Sequence, residues 1–322
     1  MKDPAERPDI TVVIVNWNGG EHVRRCLDSL FARPPSCAFD VIVVDNDSRD
    51  GSADAVERDA RRADRAGRVS LVRTGENLGF GRANNLAFGM TRSPFALLLN
   101  TDTEVAFGAI DKLLQTLRDY PSAGAVGPKL VNADGSTQPS VWHNPPAPIH
   151  LLLDGIGLHR FIPARFRGEL LLGRHWAHNR FRSVPMLGAA AMLVRRKVID
   201  VTGGFDESFH MYGEDNDWCA RITRVGFELL FQPAAVVTHL GGRSSEQRWN
   251  VVEKRRVQLE AHFRFQRRYL SRARVALCDA TVCFTLAIAR IWWSLTGRDR
   301  TEIDVTFVEH ARDLKRTLFG GR

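Results

Sequence analysis

Cysteine is sparse in this chain. Five residues (Cys26, Cys37, Cys219, Cys278 and Cys283) include no Cys-x-x-Cys pair and leave an odd count. That pattern gives no disulfide framework, and reduced thiols in a cytosolic setting are expected. The first residues, Met1 to Asp9, contain no apolar stretch, so no signal peptide is expected. Internal repeats and low-complexity tracts are absent. Two phosphate-binding fingerprints are missing as well. A dinucleotide fold needs G-x-G-x-x-G directly after its first strand, but this chain has Asn-Trp-Asn-Gly-Gly at 16–20. Gly79-Phe80-Gly81 is a lone G-x-G in a loop. No G-x-x-x-x-G-K-[ST] occurs, which excludes a P-loop. The Gly-rich loop with Arg or Lys expected of a sugar nucleotidyltransferase is also missing after the first strand. No nucleic-acid module is recognisable.

What the chain does have is ordinary for a soluble globular protein: 322 residues, 44% apolar and 25% charged. Its charge, however, is unevenly placed. Residues 1–240 carry 28 basic and 28 acidic side chains, whereas residues 241–322 carry 17 and 9, so the whole excess of +8 lies in the last quarter. A basic excess at one end suits an anionic partner, either lipid headgroups or nucleic acid.

Strands and helices alternate from the start. Ile10–Val15 is an apolar β-rich run, and Glu21–Ala32 places Val23, Cys26, Leu27 and Leu30 at helical spacing. Val41–Val44 is a second buried strand, followed by a helix to about Ala63, a strand Val69–Arg73 and a helix Arg82–Met90. Such alternation predicts a parallel sheet with right-handed crossovers. Ala96–Leu99 reads as a strand buried on both faces. It delivers Asn100, Thr101 and Asp102 at its carboxyl end, where open α/β sheets bind ligands. Asn100 and Asp102 then share one side, suited to a metal-bound ligand. Equally, Asp102 or Thr103 caps a helix beginning near Val105. Asp45, emerging from the second strand, suits a pyrimidine imide N–H, with Asn46, Asp47 and Ser48 shaping a turn. The loop 76–80 brings backbone close to a nucleotide through Gly79 and Gly81.

Further on, a helix carries Phe107, Ile110, Leu113, Leu114 and Leu117, and a strand covers Ala125–Val131. Asn132 to Gly135 reads as a hairpin turn. Residues 139–182 show no clean period, and Met186–Val194 reads as a strand. Glu214, Asp215 and Asp217 open a helix, where carboxylates either complement the helix dipole or serve as a general base. Strand residues Phe227–Phe231 and Val236–Thr238 deliver His239, a core hydrogen-bonding residue or a metal ligand.

Seven segments in this order resemble glycosyltransferase family 2, most closely its bacterial rhamnosyltransferase branch. They are Val-Asn-Trp-Asn-Gly (15–19), Val-Asp-Asn-Asp-Ser-Arg-Asp-Gly-Ser (44–52), Asn-Leu-Gly-Phe-Gly-Arg-Ala-Asn-Asn (77–85), Leu-Leu-Asn-Thr-Asp (98–102), Gly-Gly-Phe-Asp-Glu (203–207), Gly-Glu-Asp-Asn-Asp-Trp (213–218) and Thr-His-Leu-Gly-Gly-Arg-Ser (238–244). The resemblance covers residues 9–245. It implies an α/β, GT-A (Rossmann-like) fold with a mostly parallel central sheet and inverting transfer from a nucleotide-diphospho-sugar. It places Asn16, Asp45, Asn77, Gly79 and Thr101 at the nucleotide. Asn100-Thr101-Asp102 stands where the family has DxD, so Asp102 should bind Mg²⁺ or Mn²⁺, with His239 completing the shell. Asn in the first position departs from DxD and removes one carboxylate. Asp215 matches the catalytic base, with Glu214 and Asp217 as neighbours that could take its role. The branch favours dTDP-L-rhamnose and a polyprenyl-diphosphate-linked saccharide in cell-envelope assembly. UDP-hexoses, or a non-catalytic nucleotide-sugar binder, are the alternatives.

The expected division is a catalytic domain, 1–245, and a basic helical C-terminal extension, 246–322. Residues 248–274 hold nine Lys and Arg, including Arg248, against Glu253 and Glu260, and Val275–Leu295 turns apolar. Asp279 and Arg290 interrupt the roughly 20 apolar residues a spanning helix needs. An interfacial element on the anionic inner face of the cytoplasmic membrane is expected instead, with packing on the catalytic domain as the alternative.

Overall fold

The computed structural model describes residues 7–241 and 249–320. Gly242, Arg243 and Ser244 of the last motif, and Arg248 of the basic run, lie outside the described residues. The chain forms two compact units, one within 1–141, 178–210 and 214–244, the other within 142–177, 211–213 and 245–322.

The first unit is built on a ten-stranded sheet: β1 (Ile10–Asn16), β2 (Phe39–Asp45), β3 (Val69–Arg73), β4 (Phe95–Asn100), β5 (Thr103–Val105), β6 (Ala123–Val131), β7 (Thr137–Gln138), β8 (Arg182–Ser183), β9 (Ala191–Arg195) and β10 (Glu228–His239). The order is β3-β2-β1-β4-β9-β6-β10-β5, with β7 on β6 and β8 on β10. Strands β3, β2, β1 and β4 run parallel, and the apolar stretches of β1, β2 and β4 are buried on both faces. β9 enters antiparallel between β4 and β6, and β6 and β10 are again parallel. After β1 the chain winds to β2 and β3 on one side, then returns to β4 on the other. Such a reversal opens a crevice beyond the carboxyl ends of β1 and β4. Helices α1 (Gly20–Ala32), α2 (Ser52–Ala60), α3 (Phe80–Met90) and α4 (Ala109–Asp119) supply the crossovers. α1 and α4 bury Val23, Leu27, Leu30, Ile110, Leu113 and Leu117 against Ile14, Val43 and Leu97 in the main core.

Three local expectations change. The helix expected near Val105 begins only at Ala109, after Gly108 at φ +71°. The intervening residues form β5, which pairs antiparallel with β10 and sets Thr103 opposite His239. Strand pairing thus outweighs the capping tendency of Asp102-Thr103. Residues 186–190 are loop, and the strand starts at Ala191. The stretch 139–182, read as irregular, holds α5 (Pro148–Gly155) and α6 (Ala164–Leu171) in the second unit. α7 (Arg196–Thr202) and α8 (Glu214–Arg224) complete the first unit.

The second unit adds α9 (Val251–Tyr269), α10 (Arg272–Thr296) and α11 (Thr301–Phe319). Asn250 caps α9 by accepting from Glu253 N, and the Glu253 side chain accepts from Asn250 N. Both interrupting charges of α10 find partners on α11. Asp279 Oδ1 lies 2.8 Å from His310 Nδ1, and Arg290 Nε donates to Asp304 Oδ1 at 2.6 Å. α10 is the one described helix long and apolar enough to cross a membrane by length and composition.

Candidate active site

The parallel register places Asn16 opposite Asp45, and Val15 opposite Asn100. Three strands therefore deliver their terminal polar residues to one end of the sheet. Asn16 is fully buried, and its Nδ2 donates to Asp45 Oδ1 (2.8 Å), Ser52 Oγ (2.9 Å) and Ser48 Oγ (3.0 Å). Asp45 Oδ2 accepts from Ser48 N at 3.2 Å. Asn16 thus holds the Asp45 carboxylate in one orientation, and Thr101 is buried at the same sheet end. Asn46, expected only to shape a turn, ties down the neighbouring loop. Its Nδ2 donates to Asn77 Oδ1 and Gly79 O, and its Oδ1 accepts from Leu78 N at 2.8 Å. Gly79 sits at φ +82°, and a Cβ there would lie 2.6 Å from the His210 carbonyl oxygen. Only glycine fits that backbone.

The second cluster surrounds Asp102. Its backbone carbonyl accepts from Leu240 N at 2.9 Å, and its Oδ1 lies 3.3 Å from His239 Nε2. Asp102 therefore faces the histidine rather than a helix N-terminus. Asn100 Nδ2 lies 3.4 Å from the same Nε2. On the far side of the ring, Gln138 Oε1 is 2.6 Å from His239 Nδ1, while Gln138 Nε2 donates to Asn132 Oδ1 at 3.0 Å. The amide is thereby oriented with its oxygen toward the imidazole, so Nδ1 carries the hydrogen in the neutral ring. The Nε2 lone pair then points at a carboxylate oxygen. With the ring so held, a cation belongs between Nε2 and Oδ1: a proton, which makes the contact a hydrogen bond to an imidazolium, or a metal ion in its place. One nitrogen and one oxygen donor suit a divalent ion that takes its remaining ligands from phosphate and water. Burial pushes the Asp102 carboxyl up, but the hydrogen bond and charge of His239, with His22 adding, bring it below its ordinary value. It is thus ionised at neutral pH.

The third cluster opens α8. Asp215 Oδ1 accepts from Asn216 N (2.8 Å), and Oδ2 from Ala189 N (3.4 Å). The next residue, Ala190, accepts from Asn100 N at 2.9 Å. The loop before β9 therefore links the acidic start of α8 directly to the end of β4. Burial, with the charge of Asp215 adding, pushes Glu214 up to about 8, and its Oε2 has no hydrogen-bond partner. Burial also raises Asp215, though its backbone donors oppose the shift. When the two share a proton, it resides on Glu214, because Asp215 has the N–H groups of Ala189 and Asn216 to stabilise its carboxylate, whereas Glu214 has only its own backbone N–H. Asp217 is committed elsewhere: Arg221 Nε donates to it at 2.7 Å, and Arg221 Nη1 donates to the Thr202 carbonyl.

The sequence singles out Asp45, Asp102 and His239 at strand ends and, through the family resemblance, Asp215; the structure places the first three at one sheet end and ties Asp215 to it through the loop before β9. Sequence reasoning misses Gln138, a lone polar residue after a hairpin, and the Ala189 N–H, which carries no side-chain signal.

A model of the glycosyl transferase family 2 matches residues 11–202. The N-acetylglucosaminyl-diphospho-decaprenol L-rhamnosyltransferase of Mycobacterium tuberculosis is 31% identical over 259 residues, 71% of this chain and 75% of its own length. Among solved structures, S. aureus TarS 1–349 in complex with UDP-GlcNAc is 14% identical with a TM-score of 0.58, covering 96% of this chain and 81% of that one. The mannosyltransferase PcManGT from Pyrobaculum calidifontis, in complex with GDP-Man and Mn²⁺, is 16% identical with a TM-score of 0.54, covering 99% and 90%. By family match and by architecture, this chain belongs to glycosyltransferase family 2 and has the GT-A fold.

Proposed function

We propose that the chain is a divalent-metal-dependent, inverting glycosyltransferase that moves L-rhamnose from dTDP-L-rhamnose to a hydroxyl of a polyprenyl-diphosphate-linked saccharide in cell-envelope polysaccharide assembly. The observation that carries the reading is the facing pair of acceptors, Asp102 Oδ1 and His239 Nε2, at the sheet end that also presents Asp45 and the start of α8. Asp102 and His239 would hold Mg²⁺ or Mn²⁺, which neutralises charge developing on the leaving nucleoside diphosphate. Asp45 accepts from the imide N–H of the base, in the orientation that Asn16 fixes, and Thr101, Asn77 and Gly79 border the nucleotide. Asp215 takes the acceptor hydroxyl's proton as the new C1–O bond forms and the bond to phosphate breaks. A single displacement of this kind inverts C1 and needs no second carboxylate.

The mycobacterial relative, whose name specifies L-rhamnosyl transfer and an N-acetylglucosaminyl-diphospho-decaprenol, supports a rhamnosyl donor and a polyprenyl-linked acceptor. A UDP-hexose donor is the second reading, since uracil and thymine share the imide edge that Asp45 would read. The chain acts at the inner face of the cytoplasmic membrane, held there as a peripheral protein by residues 246–322. The pairing of Asp279 and Arg290 with α11 supports interfacial placement, because a spanning α10 would carry the charged α11 into lipid with it.

The test is a donor screen by mass spectrometry, with dTDP-L-rhamnose against UDP-sugars, with and without Mn²⁺, for the wild type and Asp102→Ala. Turnover of dTDP-L-rhamnose that needs metal in the wild type and is lost in the variant is expected. Turnover of a UDP-sugar alone overturns the rhamnosyl reading. An unchanged metal dependence in Asp102→Ala overturns the metal assignment.

A further inference from the structure

The segment between β7 and β8 carries apolar side chains that serve no core. Phe161 is 85% exposed, Phe166 55% and Ile149 51%, and Leu158 and Leu170 are exposed as well. Cations alternate with them. Residues 148–171 contain three arginines (Arg160, Arg165 and Arg167) against two acids, Asp154 and Glu169, and Asp154 already accepts from Arg174 at 2.6 Å. The Arg165 guanidinium lies 4.7 Å above the Phe166 ring. Apolar groups scattered singly over a surface need no explanation, but a concentration of this kind within some 20 residues does.

The same surface continues onto α10. α5 packs so closely on α10 that a Cβ at Gly155 would lie 2.6 Å from Thr285 Cβ. On either side of buried Thr285, Phe284 is 55% and Ile288 44% exposed. Beyond them, Ile291, Trp292 and Leu295 extend the exposed face at helical spacing. Leu158 lies three residues beyond Gly155, past the end of α5 and the left-handed Gly157, so the exposed segment starts close to the α5–α10 contact.

We propose that residues 148–171 and the exposed face of α10 form one lipid-binding surface, in which Phe161 and Phe166 enter the headgroup–acyl boundary of an anionic bilayer and Arg160 and Arg165 meet lipid phosphates. The inference rests on the peripheral-membrane reading but places half of the attachment outside the C-terminal extension. Continuity with α10, the described helix apolar enough to enter a membrane, favours a bilayer over a protein partner. Lipid interfaces take up an apolar face flanked by basic side chains, and anionic lipids attract those charges. Arginine stems also reach along apolar surface while keeping the charged head at phosphate level.

Co-sedimentation of the full chain with phosphatidylcholine vesicles, with and without phosphatidylglycerol, at low and high salt, tests this. The wild type should bind the anionic vesicles and keep part of that binding at high salt, since apolar insertion is not screened. The double variant F161S/F166S should bind roughly tenfold more weakly at both salt levels, whereas R160Q/R165Q should weaken binding at low salt only. Donor hydrolysis should be unchanged in both, because these side chains are exposed and outside the active site. If F161S/F166S binds like the wild type while I291S/W292S does not bind, this inference falls and the peripheral reading stands. If the wild type binds no vesicle, both fall. A concentration-dependent dimer that F161S/F166S dissolves, with no lipid binding, would make the surface a protein interface and overturn the proposal.

Discussion

Gln138 sets what His239 can offer a ligand. Its Oε1 holds Nδ1–H at 2.6 Å, and Asn132 fixes the amide in turn, so Nε2 is the ring nitrogen turned to Asp102, free to bind a proton or a metal ion. Second partners of this type typically change metal affinity by ~10–100-fold. Gln138→Leu should weaken Mn²⁺-dependent binding of a nucleoside diphosphate by about that factor, measured by titration calorimetry with and without the ion. Gln138→Glu keeps the acceptor and should rescue it. Asp215→Asn should lower transfer at least ~10²-fold while leaving donor affinity nearly intact, as expected for a base that acts on the acceptor. Glu214 gives a pH signature. In the folded chain its carboxyl holds a proton up to about pH 8, against an ordinary 4.5. Between those values the folded state binds more protons than the unfolded, so this contribution to stability is complete at low pH and lost as pH rises through about 8. Asp215, raised as well, acts in the same direction. Asp102 acts oppositely: its contribution is present above the ordinary carboxylate range and is lost as pH falls through its lowered value, outside this window. Glu214→Gln should flatten the decline in melting temperature between pH 5.5 and 8.5; a slope equal to the wild type's would place the proton elsewhere. These residues were legible in unequal degree. Asp102 and His239 stand at strand ends next to apolar runs, where sequence marks them, whereas Asp215 is one of three acids at a helix start and is singled out only by the family resemblance. Gln138 and the Ala189 N–H act only through partners about 100 and 26 residues away.

At the scale of elements, the buried parallel strands were readable because a strand covered on both faces is continuously apolar. β5 was not. Asp102, Thr103 and Glu104 carry the composition of a helix start, and the antiparallel pairing of Thr103, Glu104 and Val105 with His239, Thr238 and Val237 is what makes a strand after Asp102. α5 and α6 escaped for a different reason: their exposed phenylalanines and leucines blur the helical period that a one-sided core contact would leave. The loop before α3 shows how an element end is fixed by backbone geometry. Gly79 combines φ +82° with the His210 carbonyl at a Cβ's reach, so Gly79→Ala is both strained and crowded. It should cost at least ~1 kcal/mol, read as a lower urea midpoint. Donor affinity should fall with it, because Asn46 and Asn77 can no longer hold the loop. A variant with wild-type midpoint and donor affinity would show that the loop moves without loss.

For the whole molecule, the uneven charge already visible in the sequence meets a helix whose polarity is handled internally. α10 is 25 residues long and apolar enough to span a bilayer, yet Asp279 is fully buried against His310 and Arg290 pairs with Asp304. Both pairs bind α10 to α11, whose 19 residues include Glu302, Glu309, Arg312, Lys315 and Arg316. Drawing α10 across the hydrocarbon would break the Asp279–His310 and Arg290–Asp304 contacts or take these charges along. Each charge at the bilayer centre costs about 2.5–3.5 kcal/mol or more. Lying in the interface keeps the pairs and still covers Phe284, Ile291 and Trp292. The two placements separate on extraction. Alkaline carbonate opens vesicles and strips proteins held by surface contacts, while a spanning helix stays in the membrane. The full chain, expressed in a bacterial host and recovered with its membranes, should therefore pass into the carbonate supernatant. Retention in the pellet, together with protease access to residues 297–300 from the far side of sealed vesicles, would reassign α10 as a span.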